Sequence, residues 1–257
     1  IINLAMATKF YITTPIYYAN DVPHIGHTGT TVFADIVARY KRAIGDEVFF
    51  LTGTDEHGEK VALSAEKTGL SPQVFVDDLA IKWQEYWQKL DISNDAFIRT
   101  TSEGHKKVAS ELLQKLYDKG DIYKDVYKGL YCIGCEEFKS EKDLVNGKCP
   151  EHRADQLVYR EEESYFFKIS KYISEVKRLI ESGEFSVVPE NKKNEILSRL
   201  NDEVRDLSIS RQNIAWGIPL PWDPSHTTYV WTEALMNYYS ATKIWHKEDF
   251  WPADVHF

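Results

Sequence analysis

The chain has 257 residues, 43% of them hydrophobic and 13% aromatic, with a formal net charge of −9. That composition supplies enough apolar surface for one large domain or two ordinary ones and excludes an intrinsically disordered chain. The acidic balance counts against a protein that coats nucleic acid without specificity, since phosphate binding rests on accumulated Lys and Arg, but it leaves room for a local basic patch. No apolar run approaches the roughly 20 residues of a membrane-spanning helix, so no membrane partner is expected. Residues 1–6 are too short and uncharged for a secretory signal and read as sequence upstream of a start at Met6.

Residues 10–14 are rich in aromatic and β-branched side chains and predict a strand ended by Pro15. Beyond a turn-like stretch at 19–23, Val32, Phe33, Ile36, Val37 and Tyr40 recur with a helical period, predicting a helix from near Thr30 to Gly45. Residues 48–51 form a short apolar run suited to a strand covered on both faces. Ser71-Pro72 supplies a capping hydroxyl and an N-terminal proline for a long helix whose face is Phe75, Leu79, Trp83, Tyr86 and Leu90. Trp83, Tyr86 and Trp87 are therefore read as helix packing. A further strand is predicted at 97–100, and a helix through Val108, Leu112 and Leu116 closed by Gly120. Strands separated by helices imply an α/β chain built on a parallel sheet with helices on both faces.

From about Asp121 the alternation breaks. Residues 123–132 and 156–169 look strand-like, and shorter helical patterns follow at 172–180 and 190–200. Residues 227–231 predict a returning strand and 233–242 a helix. The expected organisation is a first half of one domain at 1–120, an inserted α+β domain at 121–223, and the start of the second half at 224–257.

All three cysteines lie within the inserted region. Cys132-x2-Cys135, thirteen residues, then Cys149-x2-His152 makes a Cys3His set that suits one structural zinc, with Gly134 and Pro150 fitting the tight turns. Iron is the alternative, decided by geometry and availability, with zinc the default. An odd, clustered cysteine count is no disulfide framework; it points to a reducing compartment, and a cytoplasmic location is expected. His24-Ile25-Gly26-His27 sits between the first strand and the predicted helix, where unpaired N–H groups and the positive dipole end favour phosphate. Gly26 would let a flat ring or phosphate approach the backbone, and the imidazoles would meet charge developing on a phosphoryl group.

Thr13-Thr14-Pro15-Ile16-Tyr17-Tyr18-Ala19-Asn20 followed by Pro23-His24-Ile25-Gly26-His27 resembles the first signature of class I aminoacyl-tRNA synthetases of the methionyl type. Thr52-Gly53-Thr54-Asp55-Glu56-His57-Gly58, Asp206-Leu207-Ser208-Ile209-Ser210-Arg211, Trp216-Gly217-Ile218-Pro219-Leu220-Pro221-Trp222 and Tyr229-Val230-Trp231 resemble later motifs of that family, in family order. The resemblance implies a Rossmann-type sheet interrupted by a zinc-containing connective insertion. It also implies activation of methionine by ATP with Mg2+ and transfer to initiator and elongator methionine tRNA. By the same resemblance His24 and His27 stabilise the α-phosphate, Gly26 makes room for adenine, and Asp55 holds the substrate ammonium. Ile16 and Tyr18 open the amino-acid pocket, and Trp231, Ala234, Leu235 and Tyr238 form its far wall. An unbranched thioether suits such an apolar slot with aromatic edges. His57 reads equally as a satisfied loop histidine or a ligand contact, and Glu161, Glu162 and Glu163 as a solvated face.

One departure stands out. The family's second signature, a mobile lysine-containing loop, is absent, and the nearest string, Lys139-Ser140-Glu141-Lys142, lies within the cysteine region. The expectation is a piece of a longer enzyme, inactive or weakly active alone. The competing readings are another class I synthetase, disfavoured by the residues 13–18 lead-in and the single Cys3His set, and a zinc-containing tRNA-binding module without catalysis, disfavoured by intact His24, Gly26, His27 and Asp55.

Overall fold

The structure, a computed structural model, describes residues 7–257 except 136, 140–142, 153–156, 203 and 213. The expected start at 1–6, Gln156 and most of the 139–142 string lie outside the described residues.

The first part alternates strand and helix: β1 (Lys9–Thr13), β2 (Tyr17–Tyr18), α1 (Ile25–Ala43), β3 (Glu47–Asp55), α2 (Glu59–Thr68), α3 (Pro72–Lys89), β4 (Ala96–Arg99) and α4 (Glu103–Asp118). β1 pairs in parallel with β3 from Lys9↔Glu47 to Thr13↔Leu51, and β4 joins β3 on its other side. Past Pro15 the chain steps out and returns as β2, pairing Tyr17↔Thr54 and Tyr18↔Asp55. Alternation along β1 and β3 sends Phe10, Ile12 and Phe50 to one face, against Ala34 and Ala38 of α1. Tyr11, Phe49 and Leu51 go to the other.

α1 begins at Ile25, earlier than the apolar period predicts, because the histidines themselves close its first turn. Its buried face is Thr31, Ala34, Asp35 and Ala38, small enough for close approach to the sheet, while Phe33, Ile36 and Tyr40 are 64%, 56% and 62% exposed. α3 starts as expected, with the Ser71 hydroxyl accepting from the Val74 N–H, and it buries Trp83 and Trp87. α2 was not anticipated.

The chain continues as β5 (Ile122–Cys132), β6 (Glu137–Lys139), β7 (Leu157–Phe167), α5 (Ile173–Ser182), α6 (Glu190–Asn201), β8 (Leu207–Ser208), β9 (Ser210–Arg211), β10 (Pro219–Leu220) and β11 (Asp223–Thr228). β5 and β7 form a long antiparallel hairpin, Ile122↔Phe167 through Cys132↔Leu157, in a sheet ordered β6-β5-β7-β8. On this hairpin Lys124 pairs with Glu163, and Lys128 with Glu161. The last elements are α7 (Val230–Ala234), α8 (Asn237–Ile244) and β12 (Val255–His256).

The predicted returning strand at 227–231 is corrected. Thr227 and Thr228 pair antiparallel with Arg211 and Ser210 in a separate β10-β11-β9 sheet, and Val230 onward is helical. The strand that rejoins the parallel sheet is β12, pairing Ile12↔Val255. α8 packs on the face of the sheet opposite α1, through Ala241 beside Tyr11 and Phe49, so helices do cover both faces. Among the described residues no helix is long and apolar enough to cross a membrane.

Candidate functional site

The β2–α1 junction presents both signature histidines. His24 is the N-cap of α1: its Nδ1 accepts from the Gly26 N–H at 3.1 Å, while His27 Nδ1 accepts from the His24 N–H at 3.2 Å. This is a capping box built from imidazoles. Since each Nδ1 is an acceptor, each ring is the neutral tautomer with its proton on Nε2. The rings stack with centroids 3.7 Å apart, and burial followed by the neighbouring His24 lowers the His27 pKa from its usual 6.5. His27 also rests against Tyr17 and Trp83, each 4.9 Å away. A Cβ on Gly26 would fall 2.9 Å from His24 Cε1, so the flat ring that this glycine admits within the protein is that of His24.

Strand β2 joins this junction to a cavity. Tyr17 sends its hydroxyl to the His27 carbonyl and shares a 2.6 Å hydrogen bond with Thr31, while its neighbour Tyr18 lines a cavity of about 710 Å³. Ile16, Asp55, Trp231, Ala234, Leu235 and Tyr238 line the same cavity, so the structure brings together all seven residues assigned to the amino-acid pocket. Asp55, at the end of β3, is buried. Burial, outweighing a hydrogen bond with Asn237 and helped by the Asp55 charge, raises the Tyr238 phenol, which keeps its proton at neutral pH. Pro15, Lys60 and Asn237 line the cavity too and were not anticipated. A second cavity, about 660 Å³, shares Trp231 and Leu235 with the first. It contains none of Ile16, Tyr18 or Asp55, and we take the first as the site because a buried carboxylate faces apolar walls there.

The four residues predicted to bind metal also converge. The ligand atoms of Cys132, Cys135, Cys149 and His152 all lie within 4.8 Å of one another, at the tip of the β5–β7 hairpin. Cys135 Sγ is 3.6 Å from Cys149 Sγ and 3.2 Å from His152 Nδ1, which is 3.8 Å from Cys149 Sγ. A tetrahedron with metal–sulfur bonds of about 2.3 Å has edges of about 3.8 Å, so this donor set could hold such an ion. Burial raises the Cys135 thiol. The Cys149 thiol, despite burial, is lowered to about 6 by the Glu151 N–H, His152 and the other two cysteines. Gly134, Cys135, Glu151 and His152 border the same cavity as Asp55 and Tyr238, a proximity the sequence did not signal.

His57 resolves as a satisfied histidine with an unexpected partner. Its Nδ1 lies 2.7 Å from Glu233 Oε1, and Glu233 Oε2 lies 2.8 Å from His105 Nε2. His105 Nδ1 in turn meets the Ser240 hydroxyl at 2.7 Å. Glu233 and His105 are fully buried and His57 nearly so. The available signal was a carboxylate amid the apolar run 230–236, since a buried charge requires partners.

A parallel sheet with a histidine-capped helix after its second strand, a carboxylate-floored apolar cavity beside it and a metal-type cluster on an antiparallel extension together define an α/β protein of the Rossmann type. The model of the class I (M) tRNA synthetases matches residues 10–157 and 154–255, and the chain belongs to that family. It is similar to the methionine–tRNA ligase of Thermotoga maritima, with 48% identity over 96% of this chain and 40% of that protein. Identity to the methionine–tRNA ligase of Streptomyces coelicolor is 44%, over 97% and 49%. The crystal structure of Mycobacterium tuberculosis methionyl-tRNA synthetase bound by methionyl-adenylate aligns at a TM-score of 0.90 with 36% identity, covering 97% of this chain and 51% of that one. The apo form of that enzyme aligns at 0.80 with 34% identity, covering 97% and 49%. The chain thus spans about half the length of these relatives.

Proposed function

We propose that this chain carries the methionine-activating site of a methionyl-tRNA synthetase, the enzyme that makes methionyl-adenylate from methionine and ATP with Mg2+. The observation that carries the reading is the convergence of Ile16, Tyr18, Asp55, Trp231, Ala234, Leu235 and Tyr238 on one cavity. Relatives named for this activity, and a similar structure bound by methionyl-adenylate, support it.

In this reading Asp55 pairs with the methionine ammonium, and the apolar wall takes the thioether. A carboxylate oxygen of methionine attacks the α-phosphorus of ATP, the bond to the bridging oxygen breaks, and pyrophosphate leaves. His24 and His27, with their protons on Nε2, donate to the α-phosphate oxygens where negative charge develops, and the α1 N-terminus adds its dipole. No covalent enzyme intermediate is needed, because catalysis here is positioning and charge stabilisation. The adenylate then passes its acyl group to the 3′-terminal ribose of methionine tRNA, initiator or elongator, and AMP is released.

Cys132, Cys135, Cys149 and His152 would hold one structural zinc. When bound, it supplies a charge that fixes two loops at the hairpin tip. The insertion reads as residues 121–223 between two parts of the catalytic domain, 1–120 and 224–257, and the setting as cytoplasmic.

The test is calorimetric titration with non-hydrolysable methionyl, isoleucyl, leucyl and cysteinyl adenylate analogues. Selective binding of the methionyl analogue is expected. Equal binding of all four would overturn the amino-acid assignment.

A further inference from the structure

We propose that Glu233 is a positioning residue that sets the length of the amino-acid pocket, by tying the helix that bears its apolar wall to the strand end that bears its carboxylate. This rests on the methionine-activation reading above. Glu233 does not line the cavity, but it immediately precedes Ala234 and follows Trp231 by two residues. His57 follows by two residues Asp55, the carboxylate on the cavity floor. The 2.7 Å contact between Glu233 Oε1 and His57 Nδ1 therefore spans from wall to floor, and the 2.8 Å contact between Oε2 and His105 Nε2 fixes the same carboxylate to α4.

The wall needs such a tie. α7 has five residues, too few for backbone hydrogen bonds to hold a helix by themselves. Trp231 and Leu235 are 56% and 62% exposed, so packing around them is sparse. Glu233 is fully buried, and both its oxygens are taken by imidazoles, which leaves the carboxylate one low-energy geometry. The interval from Asp55 to the wall is the distance over which a substrate side chain is measured. A change on the order of 1 Å there would blur discrimination between side chains of different shape.

The test pairs Glu233→Ala with Glu233→Gln. The amide keeps the volume and can accept from one imidazole while donating to the other, because Ser240, which meets His105 Nδ1 at 2.7 Å, can donate or accept and so lets that ring change tautomer. Two readouts are used: backbone amide exchange over residues 230–236, and affinities for methionyl and leucyl sulfamoyl-adenosine and for AMP. In Glu233→Ala, exchange at 230–236 should accelerate by about tenfold or more while β1 and β3 keep their protection. The methionyl-over-leucyl preference should fall by about tenfold with AMP affinity unchanged. Glu233→Gln should recover most of both. Should Glu233→Ala not fold, Ser240→Ala, which removes only the outermost hydroxyl, should move both readouts the same way by less.

Unchanged exchange at 230–236, or loss of AMP and aminoacyl binding by one common factor, overturns the positioning role. A wild-type chain that binds both aminoacyl analogues equally sinks the methionine reading and the pocket-length assignment with it, whereas unchanged exchange sinks the tie alone.

Discussion

His24 and His27 cap one another across the first turn of α1, each Nδ1 taking a backbone N–H, and this leaves both Nε2–H groups as donors. Helix capping and the proposed phosphate contact thus use opposite edges of the same rings and can be separated. Asparagine at position 24 can still accept from Gly26 but cannot extend a donor as far. His24→Asn is expected to change stability by less than about 1 kcal/mol, within the range of good N-caps. It should weaken binding of methionyl sulfamoyl-adenosine by about tenfold, the scale of one lost hydrogen bond. Thermal unfolding and calorimetry check the two halves, and unchanged affinity would remove His24 from the site.

The same geometry sets a pH dependence. Burial and then His24 hold the His27 pKa below its usual 6.5, so an unfolded chain takes up this proton first. The His27 contribution to stability is therefore complete above about pH 6.5 and lost as pH falls through the lower folded value. Protonated Nδ1 cannot accept from His24, so the cap opens over that window and analogue affinity falls with it. Burial also lowers His226 and His256, so the comparison is between wild type and His27→Gln. The melting temperatures of the two should converge below pH 6.5, and parallel curves from pH 8 to 5 would refute the assignment.

Local signals carried the parallel sheet and the metal-type cluster because both are written in short stretches: Ser71-Pro72 caps α3, and the two knuckles need only their spacing. The facing of α1 was not legible, since Phe33 and Ile36 satisfy a helical period whichever way they point, and only contact with the sheet selects the small face of Ala34 and Ala38. α2 carries a short and weakly apolar pattern in which only Val61 and Ala65 are buried. β11 was misplaced because a β-branched pair such as Thr227 and Thr228 marks a strand without naming its partner. At the candidate site, the seven residues that share the cavity stand in or beside motifs, whereas Glu233 and His105 meet across 128 positions and belong to no spacing rule.

Two glycines give opposite expectations. Gly53, paired with Ile98 between β3 and β4, would place a Cβ 2.1 Å from the Ile98 carbonyl oxygen. Gly53→Ala must push the strands apart and should destabilise by about 1–3 kcal/mol or more. It should also weaken analogue binding, because Asp55 lies two residues further along β3. Gly29, inside α1, has nothing within 4 Å of an added Cβ. Gly29→Ala should stabilise by about 0.5–1 kcal/mol through helix propensity. Urea unfolding of both variants tests the pair, and equal midpoints would contradict it.

Metal removal should reach the proposed amino-acid pocket without dissolving the parallel sheet. The ligand atoms of three cysteines and a histidine crowd within 4.8 Å, and a metal cation would offset the mutual repulsion of thiolate sulfurs held that close. Gly134, Cys135, Glu151 and His152 form one border of the cavity, whereas the sheet is held by the separate apolar clusters around Tyr11 and Phe10. A chelator, or Cys149→Ser, is therefore expected to reduce bound zinc from one equivalent per chain and to accelerate amide exchange across residues 132–152. Affinity for the methionyl analogue should fall by about tenfold as that border loosens. Exchange in β1 and β3 should hold, since neither strand contributes a donor to the cluster. If exchange at 132–152 is unchanged while the metal is shown to be gone, the cluster does not organise the hairpin tip. If β1 and β3 lose protection together with the tip, the cluster and the sheet unfold as one unit.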